Sequence, residues 1–153
     1  LFIDEAYSLY RGGEDSFGLE AIDTLVKGIE DHRNELVVIL AGYTKEMELF
    51  LGANSGLASR FPNQMEFPDY TGEELYRITL TLAQSKGYLL DDSCRLPLTA
   101  WFDRKQAEDA ATNGNGRMAR NALEKAILNQ SRRLIADPDA SLERLLPGDF
   151  ELD

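Results

Sequence analysis

The stretch "LFIDEAYSLYRGG", Leu1–Gly13, decides the fold. Three apolar residues, Leu1, Phe2 and Ile3, run straight into two adjacent carboxylates, Asp4 and Glu5. A short apolar run of this kind reads as the tail of a buried strand. A strand that delivers an acid at its carboxyl end places it in the crevice where open α/β sheets bind ligands. The plainer reading is that Asp4 and Glu5 cap the following turn, and taken alone the pair favours it.

Beyond this stretch, Tyr7 to Ser16 reads as a loop holding Arg11, Gly12 and Gly13, with Asp15 or Ser16 placed to cap a helix. From Phe17 to about Arg33, Ile22, Leu25, Val26 and Ile29 recur at helical spacing. "LVVILAG" (Leu36–Gly42) is continuously apolar and β-branched, as in a central strand buried on both faces. A short helix is expected over Lys45–Leu51, a loop over Gly52–Pro62, and a brief strand over Gln64–Tyr70, stopped by Pro68. Helices dominate afterwards. Thr71 and Glu74 form a capping box for a helix to about Lys86, ended by Gly87. Asp92 or Ser93 starts the next, with Pro97 in its first turn and Trp101 and Phe102 in its body, reaching about Ala111. "NGNG" (Asn113–Gly116) breaks it, and Arg117 to Ile135 forms a long helix stopped by Pro138. The fold class is therefore α/β: part of a parallel-sheet core over 1–70, then an all-α domain over 71–153, joined near Phe67–Thr71.

Composition bounds the function. The 153 residues carry a net charge of −11, which repels nucleic acid and anionic lipid at long range. No apolar run approaches the roughly 20 residues of a membrane span. With 43% hydrophobic and 28% charged residues the chain is that of a globular protein. One Cys (Cys94) and one His (His32) exclude an internal disulfide and a Cys/His zinc site. A single thiol fits a reducing, cytoplasmic setting. The chain begins on Leu1 with no basic leader and no initiator methionine, which reads as a fragment or a processed product.

Three motifs carry chemistry. Apolar run plus Asp-Glu is the Walker B pattern, in which the Asp holds Mg2+ and the Glu polarises an attacking water. Arg60 in "GLASRF" reads either as a surface arginine in a weak salt bridge or as an arginine finger. Arg117 and Arg120 in "NGNGRMARN" share a helix face at the first turn, where the macrodipole disfavours cations. An anion there would remove the conflict; ordinary surface basicity is an equally good reading of this stretch alone.

In order, these motifs resemble the AAA+ ATPases, and among them the group of stage V sporulation protein K and red-type rubisco activase, with the ATPases of type VII secretion similar. "LFIDEAYSLYR", "LVVILAGYTKEM", "GLASRF", "EFPDYTGEEL" and "GNGRMARNALEKA" carry the resemblance over nearly the whole chain. It implies core strands 3, 4 and 5 of a sheet ordered 5-1-4-3-2, followed by a helical lid. It implies Asp4 as the Mg2+ residue, Glu5 as the catalytic base and Arg60 as a finger acting on the adjacent subunit. Tyr43 and Thr44 follow the sensor-1 strand and both stand as candidates for its γ-phosphate contact. Arg117 would be sensor 2, with Arg120 a second candidate, and Ser8–Glu14 would face the pore of a homo-oligomeric ring. The family expectation is a hexamer that hydrolyses ATP with Mg2+ to remodel a polypeptide, chaperone-like, in the cytoplasm.

A Gly-x-x-x-x-Gly-Lys-Ser/Thr loop, which cradles the β- and γ-phosphates, does not occur in these 153 residues. The chain taken alone is therefore expected not to turn over ATP. The alternative is a non-catalytic regulatory or assembly module of a AAA+ ring. The implied sheet order also leaves a slot about two strand spacings wide, roughly 9–10 Å, between strands 4 and 5. Open edges and faces predict that the chain by itself folds poorly, associates, or has the slot filled by another segment. Size-exclusion chromatography should show association; a stable monomer of unaltered sheet order is the opposing result.

Overall fold

The computed structural model describes residues 1–10, 12, 16–108, 114–137 and 139–152. The expected helix cap at Asp15, most of the glycine-rich end of the Ser8–Glu14 loop, the end of the helix toward Ala111, the first residue of "NGNG" and the stop at Pro138 lie outside them. The chain divides into two compact units, Leu1–Phe67 and Pro68–Asp153.

In the first unit, β1 (Phe2–Ile3) pairs in parallel with β2 (Ile39–Leu40), Phe2 opposite Ile39 and Ile3 opposite Leu40. Parallel strands need a crossover, and α1 (Ser16–Asp31) supplies it. Backbone bonds extend the pairing: Ile39 N–H donates to Leu1 O at 2.9 Å, Ala41 N–H to Ile3 O at 2.9 Å, and Ala6 N–H to Ala41 O at 3.0 Å. Side chains alternate across a strand. Ile3 and Leu40 face a core of Ala6, Ile22, Phe50 and Leu57, to which α1, α2 (Thr44–Gly52) and α3 (Ser55–Arg60) contribute.

Three expectations need correction. The second strand is two residues long and covered on one face only: Val37 is 74% and Ile39 56% exposed, with none of the described elements of this unit over that side. Gln64–Tyr70 carries neither helix nor strand, and Met65 and Phe67 are more than three-quarters exposed. A ladder needs a neighbour, and none of the described residues pairs with it, so two of the three expected core strands are present. The loop expected at Gly52–Pro62 contains α3, whose cap is Asn54: its side-chain oxygen accepts from Gly56 N–H at 2.7 Å.

The second unit is built on α4 (Gly72–Ser85), α5 (Arg95–Glu108) and α6 (Gly116–Ala136). Leu75, Leu98, Phe102, Ala119, Leu123 and Leu145 are fully buried between them. The capping box is present: Thr71 Oγ1 accepts from Glu74 N–H at 3.3 Å, and Glu74 accepts from Thr71 N–H at 2.8 Å. Gly87, at φ +81°, ends α4 where a side chain would be strained. Gly72 cannot carry a side chain either: a Cβ would lie 2.5 Å from the Thr99 carbonyl oxygen. Helix α5 starts at Arg95 rather than at Asp92 or Ser93, after a 3₁₀ turn, Asp92–Cys94, that Asp91 caps by accepting from Ser93 N–H at 3.1 Å. The unit also departs from an all-α reading, because β3 (Leu89–Leu90) pairs in parallel with β4 (Arg144–Leu145). No helix among the described residues is long and apolar enough to cross a membrane.

Four carboxyls of this unit, Glu74 and Glu151 exposed and Glu73 and Asp91 half-buried, titrate below their ordinary values. Arg95 holds Glu73 down, the Thr71 backbone N–H holds Glu74, Ser93 holds Asp91, and Asn129 with Lys125 holds Glu151. Groups depressed on folding stabilise above their unfolded pKa and stop doing so as pH falls through the folded one. The stability of this unit should therefore be level near neutrality and drop as pH falls below the ordinary values of 4.5 for Glu and 3.8 for Asp. Urea titrations across that window, read by fluorescence of Trp101, the chain's only Trp, check this.

Candidate functional site

In the first unit the sequence candidates gather at the carboxyl end of the parallel pair. Asp4 and Glu5 follow β1 and are exposed. Glu5 N–H donates to Asp4 Oδ1 at 3.0 Å, which leaves Oδ2 outside that bond. Glu5 itself sits at φ 48°, ψ 45°, a left-handed conformation that costs a non-glycine residue about 1–3 kcal/mol. Among the described residues neither carboxylate is in an ion pair. Tyr43 and Thr44 follow β2 alongside, also exposed, and the Tyr7 and Tyr43 rings lie 6.4 Å apart. The chain can turn here because residue 42 is Gly: a Cβ would come within 2.8 Å of the Tyr7 ring and 2.9 Å of Met47. Burial first, then the charges of Glu5, Tyr43, Glu46 and Asp4, push the Tyr7 phenol above its ordinary range. That negative field is complementary to a cation.

Mg2+ is held by one or two carboxylates plus water and phosphate oxygens, not by an all-protein cage. Asp4, exposed and with an oxygen available, fits that role. No group of three or more metal-ligating side chains occurs among the described residues, as such a site requires none.

Arg60, at the end of α3, lies apart from the acid pair in its contacts. Its guanidinium pairs with Glu30 of α1 and donates to the Gly56 carbonyl at 3.3 Å. In the second unit Arg117 is exposed on the first turn of α6 and Arg120 at the start of the next. Among the described residues neither guanidinium has a partner, and both cations lie near the positive end of a helix dipole. Sequence reasoning missed Glu30, an acid on an otherwise ordinary helix face with nothing local to mark it. It also missed Asn115, described below.

Residues 71–153 match the AAA lid domain family. Stage V sporulation protein K of Bacillus subtilis is 46% identical over 136 residues, which is 88% of this chain and 42% of that protein. The chloroplastic ribulose bisphosphate carboxylase/oxygenase activase of Cyanidioschyzon merolae is 40% identical over 145 residues, 94% of this chain and 49% of that protein. Protein CbbX of Cereibacter sphaeroides is 40% identical over 144 residues, 94% and 46% of the two chains. The chain belongs to the AAA+ ATPase family, in the group that contains these relatives. It spans about half the length of each of them.

Proposed function

We propose that the chain is the Walker B-to-lid portion of an ATP-hydrolysing, protein-remodelling AAA+ machine. The observation that carries this reading is the exposed acid pair Asp4–Glu5 at the carboxyl end of two parallel strands. Asp4 would hold Mg2+, which supplies electrostatic stabilisation of phosphate charge when bound. Glu5 would accept a proton from water. Tyr43 or Thr44 would sense the γ-phosphate. Arg117, with Arg120 second, would meet nucleotide phosphate through its guanidinium. Arg60 would serve a neighbouring copy in a homo-oligomeric ring, a hexamer on family grounds, and to do so it must leave Glu30. The loop after Tyr7 would contact a polypeptide substrate, and the setting would be the cytoplasm. The core over 1–70 and the lid over 71–153 are the domains so defined.

The test is Mg-ATP turnover by the complete gene product and its Glu5→Gln and Arg60→Ala variants, alone and mixed. Both variants should be inactive alone. The mixture should regain activity, because a Glu5→Gln subunit donates Arg60 to a neighbour with an intact Glu5. An active Glu5→Gln protein overturns the catalytic assignment and favours the regulatory-module alternative. No recovery on mixing overturns the assignment of Arg60 to a neighbour's site.

A further inference from the structure

Asn115 stands at the N-cap of α6, two residues before Arg117. An Asn there normally turns its side-chain oxygen onto the first free N–H groups of its own helix. This one makes no such bond. Its amide is spent on the segment that opens the second unit: Oδ1 accepts from Tyr70 N–H at 3.2 Å, and Nδ2 donates to Asp69 Oδ1 at 2.8 Å. The same segment is also held by α5: Gln106 Nε2 donates to the Tyr70 carbonyl, and Gly72 N–H donates to Asp103 Oδ1 at 2.7 Å.

The backbone of Asn115 is held at φ 44°, ψ −116°, outside the favoured regions for an L-residue. Gly would adopt it without cost. The side chain is therefore what residue 115 contributes, and that side chain reaches Asp69 and Tyr70. Meanwhile the Arg117 N–H bonds the Gly114 carbonyl at 2.7 Å and the Met118 N–H bonds Asn115 O at 2.9 Å, so the turn that presents Arg117 is anchored on residue 115.

We infer that Asn115 is a positioning residue for Arg117: its amide ties the first turn of α6 to Asp69–Tyr70 and so sets where the Arg117 guanidinium stands. This rests on the reading of Arg117 as a phosphate-binding residue. Strain kept at such a point, against the option of glycine, marks a constraint that serves more than helix capping.

The experiment measures Mg-ATP binding and turnover of the complete gene product carrying Asn115→Gly, Asn115→Asp, Asp69→Asn, Arg117→Ala and their combinations. Asn115→Gly relieves the backbone strain and loses the tie. It should raise KM for ATP roughly tenfold, the scale of a lost charge-assisted hydrogen bond, with a smaller change in kcat and an unaltered unfolding midpoint. Asn115→Asp opposes two carboxylates and should be worse. Asn115→Asp combined with Asp69→Asn restores a donor facing an acceptor and should recover most of the affinity. In an Arg117→Ala background, Asn115→Gly should add nothing to KM. If Arg117→Ala leaves KM unchanged, the phosphate role of Arg117 fails. If Arg117→Ala raises KM while Asn115→Gly does not, or the two effects multiply, the positioning role fails and the first reading stands.

Discussion

Replacing Glu5 by Gln in the complete gene product is expected to lower ATP turnover by about 10²–10⁴-fold while leaving ATP binding intact. That is the range lost when a positioned general base is removed. Gln has nearly the same shape, so any packing role of residue 5 survives the change. What disappears is the carboxylate that takes a proton from water. The left-handed backbone at Glu5 supplies a second arm. Glu5→Gly removes the carboxylate and also relieves the conformational cost of φ 48°. It should be as inactive as Glu5→Gln, yet at least as resistant to heat as the unsubstituted protein. A structural role for Glu5 predicts the reverse, with Glu5→Gln active and Glu5→Gly destabilised. Single-turnover hydrolysis together with a thermal melt distinguishes the two.

What could be read in the sequence depended on whether a signal was local. The capping box at Thr71 and Glu74 and the glycine stop at Gly87 were legible because three or four residues contain the whole hydrogen-bond pattern. Helix α6 was legible because Ala119, Leu123 and Ala126 repeat at the spacing of one face. Helix α3 was hidden because Gly, Ser and Ala in "SGLASR" have loop-like composition; the buried Leu57 and the Asn54 cap outweigh propensity there. Strands β3 and β4 were hidden for another reason. Each is two residues long, and their pairing partners lie more than fifty residues apart. The continuous apolar run of "LVVILAG" implied burial on both sides, but a run of that kind records only that a face can be covered. In this unit one side of Val37 and Ile39 is open. The acid pair was legible as chemistry through its position after a strand, whereas the Glu30 partner of Arg60 lay thirty residues away with no pattern to reveal it.

The second large effect lies in the lid. Asp149→Ala is expected to destabilise the second unit by about 3–5 kcal/mol, the cost of breaking a buried ion pair by removing one partner. Asp149 is 2% exposed and makes three bonds of 2.8 Å, accepting from Arg133 Nε and Nη2 in a bidentate pair and from Leu146 N–H. Its own N–H donates back to Leu146 O at 2.9 Å, closing the turn that follows β4. This carboxylate therefore fastens the C-terminal segment onto α6, beside Asn129 and the buried Gln130, whose amides bond the Asp149 and Leu142 carbonyls. Removing it leaves a half-buried guanidinium with only the Arg144 carbonyl to bond and takes away the acceptor of the Leu146 N–H. Arg133 cannot shed its proton to escape, because a guanidinium stays charged in a protein. Asp149→Asn keeps the shape and one acceptor and should cost less. Pairing Asp149→Leu with Arg133→Met removes both charges and should recover part of the loss, but not all. The Leu146 N–H then stays unsatisfied, at about 1–3 kcal/mol. Urea denaturation read by Trp101 fluorescence measures each step. A double variant as stable as the unsubstituted chain would show that neither the ion pair nor the bond to Leu146 N–H adds net stability over apolar packing; a single Asp149→Ala loss below about 1 kcal/mol, the scale of an exposed pair, would show that the fastening is not made.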